Sequence, residues 1–211
     1  AGQETVAAVP AQTLLPYYRG SGENFYTNDV ALRADWVVLY ISQVQRLAPS
    51  PEIIRYFRTL QPEHVVNVLG EPYAWVYAGP KLITTALPAD ATPLDIAFGD
   101  RLHLDGYTVA TEGTGVSVTL FWHIRHALET DYTVSVRLVE AGGRRLAQHD
   151  SWPANGLLPT RHLRPGDIVR DVHQLALDAG AVAAAVEVVV YDAASGETLA
   201  EPAVVDRAIH E

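Results

Sequence analysis

The sequence predicts an α+β protein in which a small α/β piece, with the order strand–helix–strand, precedes an antiparallel β-sandwich of the Ig-like or jelly-roll kind. The first part alternates apolar runs with one amphipathic helix, whereas the second contains about seven or eight short strand-like runs. Prolines at positions 80, 88 and 93 mark a linker between the two parts. We therefore predict an α/β subdomain over residues 1–80, a linker over 81–95 and a β-sandwich over 96–211.

Composition limits the classes of function. With 25 Asp and Glu against 15 Lys and Arg, the formal net charge is −10, which argues against a nucleic-acid partner because phosphate binding needs a cationic face. The chain has no cysteine, so disulfides, thiolate nucleophiles and cysteine-ligated metal centres are excluded. No apolar run approaches the ~18 residues of a membrane-spanning helix. The start at Ala1 without a Met suggests a fragment of a longer protein.

In the first 80 residues the clearest signal is a helix start, with Ser50 as N-cap and Pro51 at the first helical position. Asp35–Ile41 is almost continuously apolar, as in a strand that is covered on both faces. His64–Leu69 and Tyr73–Tyr77 are predicted strands, and the strand–helix–strand order predicts a small parallel or mixed sheet. Three segments precede these elements: a predicted strand at Glu4–Val9, a predicted short helix around Gln12–Tyr18 and a turn-rich stretch at Gly20–Asn28.

In the second half, apolar and polar residues alternate along Val116–Trp122 and Tyr132–Leu138, which predicts two half-buried antiparallel strands. Ala141–Gly143 predicts a hairpin turn. Further strands are predicted at Arg144–Gln148, Ile168–Leu177, Val182–Tyr191 and Val204–Asp206. The stretch His149–Asp171 is long enough for a functional or disordered connection. Its tryptophan and leucine side chains give it apolar groups to bury, so we expect it to be ordered.

Two sets of motifs keep their order along the chain and resemble a known family. Ala34–Arg46, Gly70 and Tyr73–Tyr77 look like the tail of bacterial glycosyltransferases related to dolichyl-phosphate-mannose–protein mannosyltransferases. The second set resembles β-sandwich tails attached to such proteins, and its members are Leu120–Trp122, Asp131–Val134, His149–Asp150, Gly156, Pro159–Thr160, Arg164–Val169 and Asp171. The resemblance covers nearly the whole chain, with a departure at His162, where such tails tend to have an aromatic residue.

In that family a multi-spanning membrane domain of the GT-C type precedes a soluble C-terminal region, and the catalytic acidic residues lie in loops of the membrane domain. The resemblance therefore implies a non-catalytic, extracytoplasmic C-terminal region of a polyprenyl-phosphate-sugar-dependent glycosyltransferase. Its implied partners are its own upstream membrane domain and a glycan or a glycosylated acceptor. No catalytic residue and no cofactor can be carried over to this chain.

The set of residues that most resembles a metal site is His149 and Asp150 with Asp171 and His173. Residues 171 and 173 lie two apart on a predicted strand and project to the same face, as metal ligands must. A core face with polar residues at its edge is the competing interpretation, since apolar residues share the same face: Val169, Leu175 and Leu177. Ser151 beside His149 supplies hydrolase residue types, but no Gly-x-Ser-x-Gly elbow surrounds it.

Trp152 is the candidate ligand-binding residue, because aromatic rings bury the C–H faces of sugars and this one lies on a loop, where function concentrates. Trp122 and Tyr132 instead align with Val and Leu on their strands, which is a core pattern. A free-standing carbohydrate-binding β-sandwich is thus the alternative function. His123 and His126, three apart at a strand end, face opposite sides and are predicted to face solvent.

Overall fold

The computed structural model describes residues 25–40, 51–113 and 115–206. The chain divides into two compact units, Ala1–Leu82 and Ile83–Glu211, so the boundary falls within the segment predicted as a linker, and residues 83–95 belong to the second unit. No helix in the described ranges is long and apolar enough to cross a membrane. The segments predicted at Glu4–Val9 and Gln12–Tyr18, and the predicted N-cap Ser50, lie outside the described residues.

In its described part, the first unit contains two helices and one three-stranded sheet. The elements are α1 (Phe25–Arg33), β1 (Trp36–Tyr40), α2 (Pro51–Thr59), β2 (His64–Val68) and β3 (Glu71–Ala78). β3 lies at the centre of the sheet, and β1 and β2 both pair with it antiparallel. Leu69 and Gly70, both with positive φ, form a two-residue turn that folds β3 back beside β2. The predicted parallel or mixed sheet is therefore wrong, because β3 lies between β1 and β2 and pairs antiparallel with both.

Helix α1 occupies part of the stretch predicted to be turns, so that prediction is wrong from Phe25 onward. The helix is held by its burial and by an ion pair across one turn: the Nε of Arg33 donates to Oδ1 of Asp29 at 2.7 Å. Leu32 is fully buried in the core of the unit. α2 confirms the predicted helix and supplies Phe57, whose ring lies 5.3 Å from that of Tyr77 on β3.

Across residues 83–113 and 115–206, the second unit contains nine strands in two antiparallel sheets. The strands are β4 (Ile83–Thr84), β5 (Thr92–Phe98), β6 (Leu102–Glu112), β7 (Gly115–Ile124), β8 (Tyr132–Val139), β9 (Arg145–Ser151), β10 (Ile168–Ala176), β11 (Ala185–Asp192) and β12 (Ala203–Asp206). One sheet has the order β4-β10-β7-β6-β5 and the other has the order β12-β11-β8-β9. The predicted antiparallel strands of the second half are confirmed, and their arrangement is consistent with a β-sandwich.

Strands β4, β5 and β6 are not predicted by the sequence pattern. Pro93 lies on β5, which is an edge strand, so its missing N–H interrupts no second ladder. In β6 the register shifts between Leu104 and Gly106, and this β-bulge breaks the alternation that would mark a strand. A side chain at Gly106 would approach the Leu87 side chain and the Thr92 carbonyl oxygen to 3.0 Å.

The core of the second unit comes from one face of each sheet. Alternate residues of β7, β8 and β11 are completely buried: Val116, Val118, Leu120, Trp122, Val134, Val136, Leu138, Val186, Val188 and Val190. Val169 on β10 continues the same pattern. The inward-facing residues predicted for β7 and β8 are thus confirmed, apart from Tyr132. The two strands are not half-buried along their middle, because residues of the other face, such as Phe121 and Ser135, are buried as well.

The connection between β9 and β10 is ordered, as expected, and it links the two sheets. Ala154, Asn155 and Gly156 all have positive φ and form a tight turn in which the Gly156 N–H donates to the Trp152 carbonyl at 2.8 Å. Further along, the buried Thr160 hydroxyl donates to the Thr130 carbonyl at 2.7 Å. These contacts fix the path of the chain into β10.

Candidate functional site

Three of the four residues in the predicted metal-like set form one hydrogen-bonded chain between the two sheets. The Nε2 of His173 lies 2.9 Å from Oδ2 of Asp171, and the Nδ1 of His173 lies 2.9 Å from the Nδ1 of His149. Asp171 and His173 are on β10 of the five-stranded sheet, whereas His149 is on β9 of the four-stranded sheet. We call Asp171–His173–His149 the buried histidine chain.

The alternation of β10 explains why polar residues occupy this position. Asp171 and His173 point into the core on the same face as Val169 and Leu175, and all four are buried. They pair in register with Leu120 and other apolar residues of β7. Of the two interpretations that the sequence leaves open, this is the core face, with the polar pair in its interior.

Asp171 is completely buried and accepts hydrogen bonds from three donors. Besides His173, the indole Nε1 of Trp122 donates to Oδ2 at 3.3 Å and the backbone N–H of Asn155 donates to Oδ1 at 3.2 Å. The side chain of Asn155 in turn accepts from the Val172 N–H at 2.8 Å. A carboxylate with three donors is solvated by the protein itself, which is the condition for keeping an ionised group in a core.

Asp150 does not join the other three members, because neighbouring residues of a strand point to opposite faces. Its carboxylate accepts from the Gln148 amide at 2.7 Å and from the Tyr191 hydroxyl at 3.3 Å. Burial raises the pKa of Asp150, but hydrogen bonds from Ser135, Gln148 and Tyr191, with the nearby Arg137 cation, lower the pKa by more, so that the net shift is downward.

The geometry does not favour a metal at the buried histidine chain. Both ring nitrogens of His173 already contact protein partners, so an ion could bind this ring only by displacing Asp171 or His149. Within the described ranges, no group of three or more His, Asp and Glu side chains has an arrangement that could hold a metal ion. His149, Asp171 and His173 are thus brought together as a hydrogen-bonded relay.

The hydrolase set is not assembled either. The Ser151 hydroxyl oxygen is buried and makes no hydrogen bond to any part of the chain that the structure describes. The Nδ1 of His149 contacts His173 instead. A serine nucleophile needs a hydrogen-bonded base to remove its proton, and this contact is missing.

A second polar cluster lies on the outer side of the five-stranded sheet and is not predicted by the sequence pattern. Asp105 accepts from the Nδ1 of His103 at 3.0 Å and from the Nδ1 of His123 at 2.7 Å. The Nε2 of His103 also lies 3.3 Å from Oδ1 of the exposed Asp95, and Arg125 lies 3.6 Å from Asp105. We call these five residues the outer histidine cluster.

The bulge in β6 explains how the outer histidine cluster forms. His103 and His123 are direct cross-strand partners, and the register shift adds Asp105 beside them on the same side. The spacing His103-x-Asp105 is the signal that could reveal the cluster, but only once β6 is recognised as a strand. His123 is thus half-buried and paired, whereas His126 is exposed and its Nδ1 lies 2.8 Å from the Asp100 carbonyl.

The two aromatic residues with a core pattern on their strands differ: the prediction is confirmed for Trp122 and wrong for Tyr132, which is only half-buried. Trp122 is completely buried and makes an edge-on contact with Phe98 at 5.4 Å between ring centroids, which confirms its core assignment. Trp152 is half-buried at the start of the tight turn that ends at Gly156. Tyr132 is also half-buried, and its N–H donates to the Thr160 hydroxyl at 2.9 Å.

Chemically, the second unit offers two polar assemblies: a relay inside the sandwich, and a partly exposed carboxylate flanked by two imidazoles and a guanidinium. The relay positions protons, whereas the outer histidine cluster presents hydrogen-bonding groups at the surface. No protein-family model matches the chain, and comparisons with curated proteins and with solved structures find no match either.

Proposed function

We propose that the chain is a non-catalytic, extracytoplasmic C-terminal region of a membrane glycosyltransferase, which assists contact with a glycan, an acceptor or a partner. One observation carries the proposal: two motif sets typical of such tails occur in order along the chain. In this proposal the upstream membrane domain holds the catalytic acids, and this region supplies a folded surface beside it.

The contacts made by the motif residues support a structural role for the second motif set. Trp122 and Asp171 hydrogen-bond to each other in the core. Asp131 accepts from the Arg161 N–H at 3.2 Å, and Asp167 accepts from the Arg164 N–H at 2.7 Å. Motif residues that fix backbone groups in this way are expected of a scaffold whose chemistry is performed elsewhere in the protein.

The order of the strands favours the Ig-like over the jelly-roll type for the proposed sandwich. Taking β6 to β12 as seven successive strands, the first, second and fifth share one sheet, and the third, sixth and seventh share the other. This is how immunoglobulin-like sandwiches distribute strands A, B, E and C, F, G between their sheets. The fourth strand, β9, pairs with the third, β8.

The location can be tested by cysteine labelling, because the chain contains no cysteine of its own. Ala193 is exposed in the turn after β11 and suits an Ala193→Cys substitution in the full-length protein. A maleimide that cannot cross membranes should label this variant in intact cells. Labelling only after lysis, or a full-length sequence without hydrophobic spans before Ala1, would contradict the proposal.

The second candidate is a free-standing carbohydrate-binding β-sandwich, favoured by the half-buried Trp152 on a loop and by the partly exposed outer histidine cluster. It predicts oligosaccharide binding by this chain alone. Trp152→Ala should lower the affinity about tenfold or more, because an aromatic platform supplies much of the contact in such sites. Tyr73→Ala, at an exposed aromatic residue of the first unit, is the control and should not change it. Flat titrations across a glycan array would eliminate this candidate.

A further inference from the structure

We infer that the buried histidine chain is a pH-sensitive clasp between the two sheets. It is closed while His149 is neutral and opens when His149 and His173 both carry a proton on Nδ1. This device is separate from the proposed function, since it depends only on contacts inside the second unit.

The number of protons on the buried histidine chain determines which of two states it adopts. Asp171 accepts from Trp122 and Asn155, and as a carboxylate it also accepts from His173, so the Nε2 of His173 carries a proton. The two Nδ1 atoms are 2.9 Å apart, and a hydrogen bond of that length requires one proton between them. When each Nδ1 carries a proton, neither has a lone pair to accept, and the contact becomes repulsive.

The charges around His149 make the second proton costly. On β10 it faces Asp171 and His173, its neighbour on β9 is Asp150, and its partner on β8, Val136, is apolar. A first proton on the relay forms a neutral pair of imidazolium and Asp171 carboxylate. A second proton leaves a positive charge beside another one in a position that is half-buried.

The electrostatics agree with this geometry. Burial lowers the pKa of His149 most, and the neighbouring His173 lowers it further, against smaller opposite effects of Asp171 and Asp150. A histidine in the unfolded chain has a pKa of about 6.5. The unfolded state therefore binds this proton at a higher pH than the folded state does.

The sign of the pH effect follows from that difference. Well above about pH 6.5 His149 is neutral in both states and has no influence on stability. As the pH falls below this value, the unfolded state binds a proton that the folded state does not bind. The unfolding equilibrium constant therefore rises by up to about tenfold per pH unit. The rise stops once the pH reaches the lowered pKa of His149 in the folded protein.

Two backbone amides close to the clasp can report its opening. The Asn155 N–H donates to Asp171, and the Val172 N–H donates to the Asn155 side chain, so both depend on how the turn sits against β10. If the clasp opens, hydrogen-exchange protection of these two amides should fall about tenfold or more between pH 7.5 and pH 5. Protection of the Val188 amide, in the middle of β11, should change less.

The decisive variant is His149→Asn, whose neutral amide can donate to the Nδ1 of His173 when that atom has a lone pair and accept from it when it carries a proton. Between pH 5 and 7.5, the unfolding equilibrium constant measured with denaturant should depend less on pH for this variant than for the unchanged protein. The difference should be up to about tenfold per pH unit. His126→Asn is the control, because His126 is exposed, and it should keep the unchanged protein's pH dependence.

If His149→Asn does not fold, nuclear magnetic resonance of the unchanged protein provides a second test. The ring-nitrogen chemical shifts of the unchanged protein should show that His149 takes up its proton at a lower pH than an unfolded histidine does, together with the loss of protection at Asn155 and Val172. The inference is overturned if both folded proteins show the same pH dependence. It is equally overturned if His149 becomes protonated while the two amides stay protected.

Discussion

At the scale of single residues, Asp171 is the common hydrogen-bond acceptor of Trp122, Asn155 and His173 inside the sandwich. It accepts from an indole, an imidazole and a backbone N–H, and it has no exposure to solvent. The sequence predicts Asp171 and His173 on one face of a strand, and the structure agrees. It cannot predict their contact with His149, because that pairing joins two sheets and depends on how they pack.

Replacing this carboxylate tests its importance directly. Asp171→Asn keeps the shape but exchanges one acceptor oxygen for an N–H₂ group, which then faces the donors of Trp122 or Asn155. We expect a loss of about 3 kcal/mol in the free energy of unfolding at pH 7, since the variant leaves buried donors unpaired. This loss is measured by denaturant unfolding of the variant and the unchanged protein.

Asp95→Asn is the matched control for that variant. Its side chain is 92% exposed, so the same exchange of atoms should change the unfolding free energy by about 0.5 kcal/mol or less. Equal effects of the two substitutions would show that Asp171 has no special role in the core.

At the scale of elements, the pattern of alternation predicts strands where it is regular and misses them where proline or a bulge interrupts it. β7, β8 and β10 follow a period of two and are confirmed, whereas β5 and β6 are missed. The same failure hides the outer histidine cluster, because two of its residues lie on β6 and one on β5. The antiparallel hairpin of β2 and β3 depends on positive φ at Leu69, which the residue type does not suggest.

The junction of β1 with β3 depends on a glycine. A Cβ atom at Gly79 would lie 1.6 Å from the Ala34 carbonyl oxygen, and the Gly79 N–H donates to the Asp35 carbonyl at 2.7 Å. Because two backbone segments would have to move apart, Gly79→Ala should cost about 3 kcal/mol and reduce the thermal stability of the first unit. Circular dichroism on heating measures the shift.

The control for this substitution is Gly142→Ala in the hairpin turn between β8 and β9. The nearest atom to its added Cβ is a Glu140 side-chain oxygen at 3.8 Å, which is an ordinary contact. This variant should unfold within a few degrees of the unchanged protein. A similar small shift for Gly79→Ala would contradict the close approach of the two segments.

At the scale of the whole molecule, the sequence predicts an α/β subdomain and a β-sandwich, and the chain divides into the units Ala1–Leu82 and Ile83–Glu211. The β-rich character of the second part follows from its alternation. The alternation does not predict the function. The proposed function rests instead on spaced motifs, whose residues fix the fold of a region that would act beside another domain.

The most direct test of the proposed function is a transfer assay with polyprenyl-phosphate-linked sugars as donors. Membranes containing the full-length protein and the isolated chain of residues 1–211 are compared at equal amounts for sugar transfer to acceptor. The proposal predicts transfer by the full-length protein and none by the isolated chain. Turnover by the isolated chain, or no transfer by the full-length protein with any such donor, would contradict it.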